Sequence, residues 1–281
     1  MPTFTAPDGT RLAYHESGDG PSLVCLPGGP MQSAAYLGDL GGLTSHRRLI
    51  GLDPRGTGES ATPEDVTSYR CDRQVDDIEA LREHLGLDRV DLLAHSGGAN
   101  LAVLYAARHP DRVARLLLIT PSVFAVGLEI TAEDRLATAR LRRDEPWFTP
   151  AYEALEAVTV GRATADSWQA VAPFWHSRWD EAARALDEAG ERAKNPEAAA
   201  GYAAEGAFTP TVTRRSLADF LSPVLLLAGQ WDVAAPPRVM REFAELFPKG
   251  ELTVQPDAGH YPWRDAAGFV ARAQAFLGGP A

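Results

Sequence analysis

The segment Val90-Asp-Leu-Leu-Ala-His-Ser-Gly-Gly-Ala-Asn100 constrains this chain more than any other. An apolar run passes through Ala94-His95-Ser96-Gly97-Gly98 into a helix-period stretch, so a strand has to become a helix within a few residues. A serine at so sharp a turn is held in strained backbone geometry with its hydroxyl exposed, and the residues two before and two after it must be small because neighbouring backbone comes close. Ala94 and Gly98 meet that demand. A serine that merely capped a helix would need neither the small flanks nor the paired glycines. The segment reads as a nucleophile, Ser96, presented above the edge of a sheet.

The rest of the chain alternates short apolar runs with helix-period segments, the pattern of a mostly parallel sheet with helices on both faces. Strands are expected at Arg11 to His15, Ser22 to Leu26, Arg48 to Asp53, Val90 to Ala94, Ala114 to Thr120, Val224 to Ala228 and Glu251 to Gln255. Asp72 to Leu87 sets Val75, Ile78, Leu81 and Leu85 on one face against charged residues opposite, so it should pack on the sheet and stop at Gly86. A second helix follows Ser96 and ends at His109-Pro110. From about Val123 to Leu217 the strand signal vanishes, and prolines at 146, 150, 173, 196 and 210 cut the text into short helices. This divides the chain into a core, residues 1–122 and 218–281, and a helical insertion, residues 123–217. Four of the six tryptophans, Trp147, Trp168, Trp175 and Trp179, fall in the insertion, where they should form its small core or line a pocket. The Ala-rich stretch Asn195 to Glu205 is expected to be mobile or weakly packed.

A serine hydroxyl is a poor nucleophile at neutral pH, so a base must take its proton and an acid must orient that base. Pro223-Val-Leu-Leu-Leu-Ala-Gly-Gln-Trp-Asp232 is a buried strand ending in a carboxylate, and Thr253-Val-Gln-Pro-Asp-Ala-Gly-His260 a strand ending in a loop with a histidine. Ligands of open parallel sheets bind beyond the carboxyl ends of the strands, which would bring Ser96, Asp232 and His260 to one edge. Asp257 competes with Asp232 as the orienting acid but lacks the supporting strand end. His95 should point away from Ser96 or pack beneath the turn. Arg55 is expected to be structural, held in an internal hydrogen-bonded turn. A tetrahedral intermediate also needs two donors aimed at its oxyanion, and the backbone amides of Gly29 and Gly97 are the candidates.

At these residues the chain resembles the α/β-hydrolase family over nearly its whole length. Leu26-Pro-Gly-Gly-Pro30 looks like that family's His-Gly-x-Pro oxyanion turn, with Pro27 where histidine is common, and Asp53-Pro-Arg-Gly-Thr-Gly-Glu-Ser60 looks like its Asp-x-Arg-Gly-x-Gly-x-Ser loop. The resemblance implies an α/β-hydrolase fold, places the insertion where the family carries a helical lid, and supports Gly29 and Gly97 as the oxyanion hole. A serine nucleophile implies an acyl-enzyme and cleavage of an ester, amide, thioester or lactone, whereas epoxide and halide chemistry in the family takes an aspartate. Gly28-Gly-Pro30, Arg55-Gly-Thr-Gly-Glu-Ser60, Gly259-His-Tyr-Pro-Trp263 and the helix wording from Ser68 look most like the proline iminopeptidase branch. That activity needs insertion carboxylates to hold a free amine, and Asp180, Glu181, Glu188 and Glu205 are available. The branch usually has Gly-Gly-Ser-Trp-Gly where this chain has Ala-His-Ser-Gly-Gly. Two alternatives therefore stand beside a small-molecule or short-peptide serine hydrolase: an aminopeptidase of that branch, and a ligand-binding protein that keeps the triad without turnover.

Other classes find no support. The net charge of −11, from 38 acidic against 27 basic residues, repels phosphate backbones and anionic membranes. No glycine-rich nucleotide loop occurs and the histidines are scattered, so neither a nucleotide cofactor nor a metal is expected. Cys25 and Cys71 lie apart from any ligand-like spacing and read as buried thiols, which suits a reducing compartment. With no basic and apolar leader and no run of about 20 apolar residues, a cytoplasmic protein is expected. Oligomeric state has no signature.

Overall fold

The computed structural model describes residues 1–265 and 268–279. In chain order the strands are β1 (Thr3–Thr5), β2 (Arg11–Ser17), β3 (Ser22–Leu26), β4 (Arg48–Leu52), β5 (Val90–His95), β6 (Val113–Ile119), β7 (Val224–Gly229) and β8 (Gly250–Gln255). They form one sheet in the order β1-β2-β4-β3-β5-β6-β7-β8, with the β1–β2 and β2–β4 pairs antiparallel and every other pair parallel. The fold is that of an α/β hydrolase. All seven expected strands are present, with ends shifted by no more than two residues, and the three-residue edge strand β1 is an addition too short to show a period of its own.

Alternation along the strands sorts their side chains onto two faces. Val24, Leu26, Leu92, Ala94, Leu116, Leu118 and Leu226 point to the face covered by α1 (Val75–His84) and α2 (Gly98–Arg108). Leu23, Cys25, Leu93, Leu117, Leu225 and Leu227 meet Trp263, Phe269, Phe276 and Leu277 on the other. Each of these Leu and Phe side chains gains roughly 1.5–3 kcal/mol on leaving water, which is what clamps the helices to the sheet.

Between β6 and β7 lie α3 (Ala132–Ala139), α4 (Phe148–Thr159), α5 (Ala165–Ala170), α6 (Glu181–Arg192), α7 (Pro196–Tyr202) and α8 (Pro210–Ala218), with α9 (Pro237–Ala244), α10 (Pro262–Asp265) and α11 (Phe269–Gly278) beyond β7. Side-chain oxygens of Thr131, Thr164, Asp180 and Asn195 cap the starts of α3, α5, α6 and α7. Ala139, Ala151, Leu155, Val171 and Phe174 make a satellite core for these helices, and Trp147 packs edge-on to Phe174. The expectation that residues 195–205 are loosely packed fails for α7, although Ala203 to Glu205 beyond it are exposed. Ala198 and Tyr202 of α7 are buried, Gly201 lies against the Tyr69 side chain, and the Tyr202 hydroxyl donates to the Gly97 carbonyl. Small alanines let the helix approach closely, and one large anchor holds it there.

Strand order reverses around β3 and β5: the connection leaving β3 runs to β4 on one side, and that leaving β5 runs to β6 on the other. A crevice opens where such connections part. The two turns that border it, after Leu26 and after His95, are adjacent because Leu26 pairs with Ala94.

Candidate active site

Ser96 follows β5 with a positive φ of 50°, and its amide donates to the Ile119 carbonyl at 3.0 Å. A non-glycine residue there carries strain that only the surrounding packing sustains. The small residues are explained by distance. A Cβ on Gly98 would stand 2.3 Å from the Pro27 carbonyl oxygen, and one on Gly28 would stand 2.8 Å from Ser96 Cβ. The turn after β3 and the turn after β5 touch backbone to backbone.

Asp232 lies just beyond β7 with no solvent exposure, and His260 lies five residues beyond β8. His260 Nδ1 donates to Asp232 Oδ2 at 2.8 Å, and Asp232 Oδ1 accepts the Ala234 amide at 2.8 Å. A carboxylate only accepts, so the Nδ1–H tautomer is set and Nε2 is left to accept the Ser96 hydroxyl, 2.9 Å away. The three side chains read from the sequence as a triad thus form one hydrogen-bonded chain. Asp257 is outside it: exposed, with a positive φ, and tied through its amide to Gln230. The His260 backbone is held on both sides, its amide donating to the Trp175 carbonyl and its carbonyl accepting from Thr120 Oγ1 and His95 Nε2.

The amides of Gly29 and Gly97 donate to no protein acceptor among the described residues. Both residues line the same cavity as Ser96 and His260. The neighbouring Gly28 amide donates to the Tyr36 hydroxyl at 2.7 Å, and that hydroxyl donates to His95 Nδ1 at 2.6 Å. Burial first, and then the nearby His260, hold the His95 pKa well below the usual imidazole value, so the ring is neutral with its proton on Nε2. The path from the turn at Gly28 through Tyr36 and His95 to the His260 carbonyl was invisible in sequence, because its members are 59 and 165 residues apart. Pro27 makes a histidine brace for the turn unavailable, and Tyr36 supplies one from the side.

Arg55 is buried in a bidentate pair with Asp77 of α1, at 2.7 and 2.6 Å, and also meets Asp8. The expected structural role holds, with ion pairs outside its own turn as the means. Asp53 closes the turn instead, accepting from Ser33, Ala34 and Glu59. Both cysteines are buried and free, their thiols pushed up to about 12 by burial. Among the described residues no cluster of His, Cys, Asp or Glu has a metal-binding arrangement, and no helix is long and apolar enough to cross a membrane.

Two cavities meet at Ser96. One, of about 430 Å³, is walled by Val123, Phe124, Leu128 and Ile130 with Asn100 and Arg135. The other, of about 740 Å³, carries Trp168, Trp175, Asp187, Glu188 and Glu191. Of the insertion carboxylates singled out from the sequence, Glu188 alone lines it; Asp180 instead caps α6. Two acids of this cavity have cationic neighbours, Glu188 with Arg192 and Glu191 with Lys194, and Asp187 Oδ1 lies 3.6 Å from His176 Nε2.

A family profile described as alpha/beta hydrolase fold matches residues 21–263. This chain belongs to the α/β-hydrolase family. A proline iminopeptidase of Heyndrickxia coagulans is 36% identical over 112 residues, a match that spans 40% of this chain and only 39% of that enzyme. The N-formylmaleamate deformylase of Pseudomonas putida is 29% identical over 301 aligned positions, 100% of this chain and 99% of that enzyme. Among solved structures, an esterase from a Rhodococcus species superposes with a TM-score of 0.76 at 22% identity, covering 100% of this chain and 99% of the esterase, a likeness of fold. The protein is an enzyme of the α/β-hydrolase class.

Proposed function

We propose that the protein is a serine hydrolase that cleaves an ester or amide bond of a small molecule or short peptide through an acyl-enzyme. The observation that carries this reading is the unbroken hydrogen-bonded chain from Ser96 Oγ through His260 to Asp232, beside two backbone amides without an acceptor. Ser96 Oγ attacks the acyl carbon while His260 Nε2 takes the hydroxyl proton, and Asp232 stabilises the imidazolium. The Gly29 and Gly97 amides receive the oxyanion. His260 then passes its proton to the departing alcohol or amine. Water, deprotonated by His260, attacks the acyl-enzyme and releases the acid, returning the proton to Ser96.

The helices of residues 123–217 act in this reading as a lid, with the core formed by residues 1–122 and 218–281. Support comes from their side chains in both cavities: Arg135 and Ile130 in one, Trp168, Trp175 and Glu188 in the other. The smaller, apolar cavity takes the acyl group and the larger one the leaving group. An aminopeptidase is the second reading. It rests on the iminopeptidase relative and on Glu188 beside the larger cavity, and the pairing of Glu188 with Arg192 weighs against a free carboxylate for an amine.

Initial rates on a 4-nitrophenyl ester and on a prolyl arylamide, for wild type and Ser96→Ala in parallel, test the proposal. Ser96→Ala is expected to lose about four orders of magnitude or more in kcat. Turnover of either reporter that survives the substitution overturns the serine mechanism. Ser96-dependent release of proline, with the ester untouched, selects the aminopeptidase.

A further inference from the structure

Arg135 sits in the first turn of α3 and lines the same cavity as Ser96, Gly29, Gly97 and His260. Its Nη1 donates to the Val233 carbonyl at 2.7 Å, and no other hydrogen bond or ion pair holds the guanidinium among the described residues. Arg135 is half-buried, whereas the more deeply buried arginines are matched: Arg55 with Asp77, Arg142 with Glu145 and with the faces of Trp147 and Trp231. Desolvation lowers the Arg135 pKa against the longer-range pull of Asp232 and Asp134. It remains charged, since arginine stays protonated far above neutral pH. The wall around it is largely apolar, and the one carboxylate lining this cavity among the described residues, Glu129, is exposed. A guanidinium so placed is costly unless an anion completes it, and its planar fork fits a carboxylate with two parallel hydrogen bonds. In the opposite cavity the cations Arg192 and Lys194 are already paired, with Glu188 and Glu191.

We infer that Arg135 anchors a carboxylate on the acyl portion of the substrate, so that the enzyme acts on monoesters or monoamides of dicarboxylic acids in preference to uncharged acyl groups. This rests on the serine hydrolase reading and adds the charge and orientation of the substrate. The carboxylate lies in the Arg135 cavity, the scissile carbonyl at Ser96, and the leaving group toward Trp168 and Trp175. The Val233 carbonyl, next to Asp232, takes one N–H of the guanidinium and leaves Nε and Nη2 without acceptors among the described residues.

The test is a series of 4-nitrophenyl monoesters of dicarboxylic acids from glutarate to suberate, each compared with its methyl-capped, uncharged counterpart. Wild type is expected to favour the free acid in kcat/KM by about tenfold or more at one chain length, the one that spans Ser96 to Arg135, as a charge-assisted hydrogen bond allows. Arg135→Gln should reduce that ratio about 10- to 100-fold, and Arg135→Lys, which keeps the charge but not the fork, should retain part of it. Should the Gln variant fail to fold, the wild-type ratio and the Lys variant decide. A wild-type ratio near one, or one that Arg135→Gln leaves unchanged, overturns the inference and reduces Arg135 to a tether between α3 and the Asp232 loop. Calorimetry of the same monoesters with Ser96→Ala separates the two readings. Arg135-dependent binding without Ser96-dependent turnover would sink the hydrolase and spare the anchor; turnover without charge preference would do the reverse.

Discussion

Replacing Tyr36 with phenylalanine removes one oxygen and cuts a path that joins three parts of the site. The hydroxyl accepts the Gly28 amide at 2.7 Å and donates to His95 Nδ1 at 2.6 Å, and His95 holds the His260 carbonyl through Nε2 at 2.9 Å. Phenylalanine leaves one donor and one acceptor without partners, each costing about 1 to 3 kcal/mol when water cannot replace the loss. Edge access to water near Tyr36 trims this, so Tyr36→Phe should destabilise the fold by about 2 to 3 kcal/mol. The effect on turnover has a different origin. The Gly29 amide adjoins the Gly28 anchor, and a full oxyanion donor is worth about 100- to 1000-fold. A donor loosened rather than deleted should lower kcat about 10- to 100-fold while KM stays within about twofold, because the oxyanion exists only beyond the ground state. Urea unfolding and steady-state kinetics on a 4-nitrophenyl ester measure the two effects. A double-mutant cycle with His95→Ala should show a coupling of at least about 1 kcal/mol. A Tyr36→Phe protein within about 0.5 kcal/mol of wild type and within twofold in kcat would refute the positioning role.

Asp77→Asn should cost about 3 to 5 kcal/mol in urea unfolding, because it leaves the buried Arg55 guanidinium with Asp8 alone, whereas Asp77→Leu with Arg55→Met together should recover much of the loss. A single-variant loss below about 1 kcal/mol would show the pair to be dispensable. Glu79 accepts from Arg82 at 2.7 and 3.0 Å and from the Tyr105 hydroxyl at 2.6 Å, and the Arg82 hydrogen bond, opposed by burial and aided by Tyr105, draws its pKa from 4.5 to about 2. A carboxylate with a depressed folded pKa stabilises above its unfolded pKa, so the Glu79→Gln penalty, about 1 to 2 kcal/mol at neutral pH, should fade as pH drops from about 4.5 toward 2. Thermal melts of both proteins across that window check it, and a penalty that persists at the acid end would contradict the assignment.

Much of the fold was readable because its signals are local. The apolar alternation of Leu23, Val24, Cys25 and Leu26 marks a strand buried on both faces, and the same holds at Leu116 to Ile119 and Val224 to Ala228. The turn at Ser96 was legible for a similar reason: backbone that approaches within 2.3 Å of a would-be Cβ leaves small residues as its trace in the sequence. Asp232 and His260 stand just past strand ends, where the chain direction of a parallel sheet alone puts them on one edge. The Ala-rich stretch at Asn195 to Glu205 misled because composition reports the lack of bulk and not the single buried tyrosine that makes the contact.

Sequence by itself thus determined the elements, their sidedness and the identity of the residues that meet at the edge, since strand period, turn sterics and strand polarity are properties of short stretches of chain. Tertiary structure decided which groups complete one another. Tyr36 substitutes for a missing brace, His95 is made neutral by burial and ties two loops, and Arg135, lining the Ser96 cavity, has one carbonyl as its hydrogen-bond partner among the described residues. Hydrogen-bond satisfaction and desolvation depend on neighbours brought from far along the chain, and no window of sequence carries that information.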